Sequence, residues 1–73
     1  MLSDERIRAL RTKAELRARR RSDGSLLAAA EKAERVAKHA KSDDARTAFA
    51  ILGEVYRLEL ERRHPGAEAD RRR

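Results

Sequence analysis

The chain has 73 residues, of which 19 are basic and 13 acidic, for a formal net charge of +6. It contains 14 alanines and only two aromatic residues, Phe49 and Tyr56. A chain of this length is one small domain with a limited core. These properties exclude a multidomain enzyme, a deep cofactor cleft and a β-sandwich. They predict a single small helical domain over residues 1–66, followed by a charged segment, 67–73, that we expect to be a mobile tail.

Several kinds of site are excluded by what the sequence lacks. There is no cysteine, so disulfides and thiolate-ligated metals are absent. His39 and His64 end two different predicted helices, too far apart to share a metal. There is no Ser-His-Asp pattern, Gly-rich phosphate loop or HExxH run. We therefore expect no enzyme activity, no cofactor, no metal and no small-molecule substrate.

The chain also lacks an apolar run of about 18 residues, the length that spans a membrane. A cytoplasmic location with no membrane contact is the default expectation.

The first predicted helix covers about 3–20. Ser3 is a favourable N-cap residue, and the two acidic residues after it suit the positive end of the helix dipole. At 100° per residue, Leu16 lies opposite the main apolar stripe. That stripe contains Ile7, Leu10, Ala14 and Ala18. Two arrangements stay open: a three-helix bundle with Leu16 exposed, or a helix that contacts its own hairpin on one side and another molecule on the other.

Two further helices are predicted at about 25–41 and 43–63, with Ser25 and Ser42 as N-caps. The second helix has one face composed mostly of alanine. Apolar residues of the third helix extend over about 200°, too wide an arc for one neighbour to cover. Because the link between these helices is short, they form an antiparallel hairpin. The sequence thus predicts an all-α fold centred on the third helix, either a small three-helix bundle or a helical dimer.

Individual residues of the third helix lead to further predictions about packing and interfaces. Gly53 lowers helix propensity but permits close approach of a neighbouring helix. Phe49 and Tyr56 lie on the main apolar face, where core packing is favoured over the alternative of an interface pair. Three large apolar residues lie at the margin of the simplest packing and are the candidate protein interface: Leu16, Ile51 and Leu58.

The positive charge is concentrated at one end of the chain. Residues 1–21 carry eight basic and three acidic residues, a net charge of +5. Arginine binds phosphate oxygens as a bidentate donor, and neutralised phosphates release counterions. The candidate phosphate contacts are Arg11, Lys13, Arg17, Arg19, Arg20 and Arg21. Because the chain has no Asn or Gln and no exposed aromatic platform, such binding is expected to follow the backbone. The alternative is a solvated helix end whose arginines reflect codon bias.

We therefore expect a small non-enzymatic accessory or regulatory protein that acts by protein–protein interaction and self-associates through its hairpin as a homodimer. The alternative function is a nucleic-acid-associated regulator or architectural factor that contacts DNA or RNA phosphates through the first helix. A third is a structural subunit of an assembly, such as a virion or scaffold.

Overall fold

The structure, a computed structural model, describes residues 2–65 and consists of three α-helices joined by short links. The helices are α1 (Asp4–Arg20), α2 (Asp23–His39) and α3 (Asp43–Arg63). The predicted all-α class and the three helices are confirmed. The tail expected at 67–73 lies outside the described residues.

Each helix begins after a serine whose side chain accepts a hydrogen bond from the main-chain N–H three residues later. This pairing satisfies one of the N–H groups that the first turn leaves without a helical partner. The pairs are Ser3 with Arg6 at 3.2 Å, Ser22 with Ser25 at 3.3 Å, and Ser42 with Ala45 at 3.1 Å.

The start of α2 differs from the sequence prediction. Ser22 is the N-cap and the helix begins at Asp23, two residues earlier than expected. Ser25, the predicted cap, lies inside the first turn and donates its own N–H to Ser22. The first turn includes Gly24, although glycine is unfavourable within a helix. Placing Asp23 there sets a carboxylate at the positive end of the helix dipole.

Helix α3 lies at the centre of the fold, as the width of its apolar arc predicts. It packs against both other helices, whereas α1 and α2 make only slight contact with each other. Arg11 pairs with Glu54 near the middle of α1, and Arg63 reaches Ala18 near its end, so α1 runs parallel to α3. The Glu34–Arg57 pair and the Asp23–Arg63 pair make α2 antiparallel to α3.

The core lies along the two contacts of α3. Its buried cluster contains Ala14, Ala18, Leu26, Ala30, Ile51, Val55 and Tyr56. The prediction that Ile51 lies at the margin as an interface residue is wrong about its exposure, since only 7% of it is accessible. The reason is the parallel packing of α1, whose Ile7 and Leu10 lie against this cluster. Ile51 therefore stabilises the monomer.

Gly53 marks the close approach of α2 and α3 that its position suggested. A Cβ atom placed on Gly53 would lie 3.1 Å from Cγ of Glu34 and 3.7 Å from the carbonyl oxygen of Ala30. Beside this point Arg57 binds Glu34 through two hydrogen bonds, of 3.1 and 2.7 Å. The guanidinium of Arg57 lowers the pKa of the Glu34 carboxyl, mainly through these bonds. An ion pair thus flanks the glycine contact.

A polar cluster at the end of α3 joins all three helices. The guanidinium of Arg63 donates to carbonyl oxygens at the end of α1 and to the carboxylates of Asp23 and Glu59. His64 pairs with the other oxygen of Asp23 at 2.5 Å. Hydrogen bonds from His64 and then Arg63 lower the pKa of Asp23. Arg62, with a smaller effect of Arg63, lowers the pKa of the buried Glu59. The cluster fixes α1 to the hairpin.

Candidate functional site

Two surfaces stand out on the described part of the chain. One is an apolar groove between α2 and α3, and the other is a row of cations along α1. Within residues 2–65 no three His, Cys, Asp or Glu side chains come together as a metal site. No helix in that range has the length and apolar character needed to span a bilayer.

The hairpin groove, as we call it, has a volume of about 360 Å³ and opens to solvent. Its α3 side is formed by Phe49, Leu52 and Tyr56, and its α2 side by Ala28, Ala29, Lys32 and Ala33. The side chains on the α2 side are mostly methyl groups, so the groove is shallow and its surface is apolar.

The two aromatic residues that line this groove differ in how far they are buried. Tyr56 is 5% exposed and belongs to the core, as predicted. Phe49 is only partly buried and lies outside the core cluster, so the prediction of core packing is wrong for it. The side chain of Phe49 lies in the groove beside residues of α2 without being fully covered by them.

One end of the hairpin groove is bounded by Arg21, in the link between α1 and α2. Arg21 donates a hydrogen bond of 3.0 Å to the hydroxyl of Ser25. Its guanidinium carbon lies 5.6 Å from the ring centroid of Tyr56, within the range of a cation–π contact. Lys32 adds a second cation at the α2 side, and no acidic residue of the range 2–65 lines the groove. The groove therefore combines an apolar surface with basic edges.

Two of the predicted interface residues are exposed. Leu16 is 54% and Leu58 50% accessible. Leu16 lies between the buried residues Ala14 and Ala18 in sequence, and so on the opposite face of α1 from α3. Leu58 lines a small depression with residues of both α1 and α3. Single exposed leucines are common on protein surfaces, so the hairpin groove is the stronger candidate for an interface.

The six candidate phosphate contacts do not form one patch. Arg11 turns toward α3 and pairs with Glu54 at 3.5 Å. Arg21 is held at the groove by Ser25. Arg19 lies on the flank of α1 that borders α3, in the depression that also contains Glu15.

The remaining three candidates share one flank of α1 with Arg6, which is not among the six predicted contacts. At 100° per residue, Arg6, Lys13, Arg17 and Arg20 lie within an arc of about 60°. We call this row the cationic stripe. All four residues are exposed, and within residues 2–65 none of their side chains forms an ion pair. Arg6 was detectable from the sequence because it precedes Lys13 by seven residues, about two helical turns.

Comparison of the chain with protein-family models, curated proteins and solved structures finds no match.

Proposed function

We propose that this protein is a small non-enzymatic accessory or regulatory protein that acts by protein–protein interaction through its hairpin groove. The observation that carries the proposal is Phe49, one of two aromatic residues in the chain, left partly exposed in an apolar groove. Aromatic side chains in apolar depressions often contribute most of the binding energy of an interface. The occupant that we propose is the hairpin of a second copy, giving a homodimer.

The shape of the α2 side supports a helix as the occupant. Ala28 and Ala29 are more exposed there than the buried alanines of the core, and their small side chains let a second helix approach closely. In a two-fold dimer the same residues meet on both subunits. The flexible stem of Lys32 can lie along the apolar surface while its ammonium group stays in water.

Charge also supports self-association through the hairpin. Residues 22–64 contain eight basic and eight acidic residues, so this part of the chain is neutral. The net charge of +5 belongs to residues 1–21. Two hairpins can therefore approach without net repulsion. A dimer would also add buried apolar surface to a domain whose own core is small.

The test is the molar mass in solution, measured by light scattering from micromolar to near-millimolar concentration. The proposal predicts a shift from 8.3 kDa toward twice that mass as concentration rises. Ala28→Glu places a charge on the α2 side of the groove at an exposed position, and should shift the equilibrium to monomer with the helical circular dichroism unchanged. A chain that stays monomeric at the highest concentration would refute self-association.

A matched control is Leu16→Glu, which introduces the same charge at an exposed position on α1. Because Leu16 lies on the face of α1 opposite α3, this variant should dimerise as the wild type does. Equal loss of dimer in both variants would show that the hairpin groove is not the interface.

A further inference from the structure

The structure shows a row of four cations on α1 that has no acidic partner within residues 2–65. From this row we propose a second activity: the cationic stripe binds the phosphate backbone of duplex DNA. The stripe consists of Arg6, Lys13, Arg17 and Arg20, all exposed. This inference does not depend on the homodimer.

The stripe has the dimensions of a phosphate-binding row. From Arg6 to Arg20 it extends about 21 Å along the helix at 1.5 Å per residue. The acidic residues of α1 are Asp4, Glu5 and Glu15. None of the three falls within the stripe's arc at 100° per residue. A ligand would thus meet four cations in line.

The cations of the stripe differ from the arginines that connect one helix to another. Arg11, Arg57 and Arg63 each have an acidic partner on another helix. Within the stripe, Lys13 and Arg17 are four residues apart and repel each other, which weakens a helix. The helix dipole favours Arg17 and Arg20 in the last turn of α1 but disfavours Arg6 in the first turn. Part of the row therefore has a cost without a structural gain, as is typical of a binding site.

The rest of the fold holds the helix that carries the stripe in place. An adjacent side of α1 is fixed to α3 by Ala14 and Ala18, which are almost fully buried. The guanidinium of Arg63 covers the carbonyl oxygens at the end of α1. These carbonyls carry the negative end of the helix dipole. Their coverage by a cation removes a source of repulsion for a phosphate that binds near Arg20.

The chemistry of the stripe favours a duplex over other polyanions. Single-strand binding uses aromatic side chains that stack with bases, and the stripe contains none. Membrane-surface helices carry large apolar residues along one exposed face, whereas Leu16 is the one strongly exposed large apolar residue of α1 in the described range. With no Asn or Gln in the chain, the main readers of adenine are absent. Binding is therefore expected to be independent of base sequence.

The experiment is fluorescence anisotropy with a labelled DNA duplex of about two helical turns, at varying salt. If four phosphates are neutralised, the logarithm of affinity should fall with the logarithm of salt at a slope of about −3.6. Affinity then falls about 150-fold between about 50 mM and 200 mM salt. Duplexes of unrelated sequence should bind equally. No binding at the lower salt concentration would overturn the proposal.

Two double variants that each remove two positive charges distinguish binding at the stripe from a general effect of net charge. Arg17→Ala with Arg20→Ala should weaken binding at least 10-fold and halve the salt slope, because two of four phosphate contacts are lost. Arg35→Ala with Lys38→Ala removes the same charge from exposed positions on α2 and should change affinity much less. Equal weakening in both variants would contradict the stripe as the site, as would tighter binding to anionic phosphatidylserine vesicles than to the duplex.

Discussion

The guanidinium of Arg63 donates a hydrogen bond of 3.0 Å to the main-chain carbonyl oxygen of Ala18, 45 positions earlier in the chain. The same side chain reaches the carbonyl oxygens of Arg19 and Arg21, at 3.2 and 2.7 Å. The last carbonyls of a helix have no partner within it and need an external donor. A residue at the end of α3 therefore completes the end of α1, and this bond orients the helix that carries the cationic stripe.

Replacing Arg63 should destabilise the whole domain. Arg63→Ala removes a donor to three carbonyl oxygens and one partner of each of two carboxylates, so we expect a loss on the order of 2 kcal/mol in the free energy of unfolding. Urea unfolding followed by circular dichroism measures this loss. Arg62→Ala is the control, because Arg62 also pairs with Glu59 but is 68% exposed. Its effect should be much smaller, and a similar effect of both substitutions would show that the carbonyl contacts contribute little.

Truncation of the two aliphatic interface candidates on α3 should change the free energy of unfolding by very different amounts. Ile51→Ala leaves a cavity in the core and should cost about 2–5 kcal/mol of unfolding free energy. Leu58→Ala, at a position 50% exposed, should change stability by less than about 1 kcal/mol. Thermal unfolding of the two variants tests this difference. Equal stability of the two proteins would contradict the packing of α1 over Ile51.

Acid should weaken the fold, because three carboxyl pKa values are lowered by ion pairs. The groups are Asp23, Glu34 and Glu59. A carboxyl with a lowered pKa contributes stability that is complete above its unfolded pKa and is lost as pH falls through the folded value. We expect a constant urea midpoint above about pH 6 and a decline as pH falls below the ordinary carboxyl values, near pH 4.

Two variants separate these ion pairs from the general effect of acid on net charge. Glu34→Gln removes one carboxyl whose pKa is lowered, so the difference in midpoint between neutral and acid pH should shrink. Glu31→Gln removes an exposed carboxylate that has no ion pair within residues 2–65 and should keep the full decline. A midpoint that rises on acidification would refute the assignment.

Much of the fold follows from local signals. Serine caps, turn residues and apolar periodicity act over a few neighbouring residues, so the three helices are readable from the sequence with errors of about two residues at α2. The N-cap of α2 is the exception, because local signals favour Ser25 and the helix uses Ser22. Ser22 and Ser25 are chemically equivalent, and the choice between them depends on whether Asp23 and Gly24 join the helix.

The candidate sites were predicted less completely than the helices. The helical period predicts which cations share a flank of α1, but it does not predict that Arg11 pairs with Glu54. It does not predict that Phe49 stays partly exposed while Ile51 is covered. The pairing of Arg11 and the burial of Ile51 depend on the direction in which α1 crosses α3. That direction is set by contacts between residues more than 40 positions apart.

The sequence by itself therefore determined the class of fold, the central place of α3 and the location of the positive charge, because each depends on the order of residues along one helix. Only the tertiary structure decided which apolar and charged residues remain free to bind. Parallel packing of α1 covers Ile51 and pairs Arg11. Phe49 lies partly exposed in the open groove between α2 and α3. Burial depends on the surface that a neighbouring helix covers, which the pattern within a single helix does not contain.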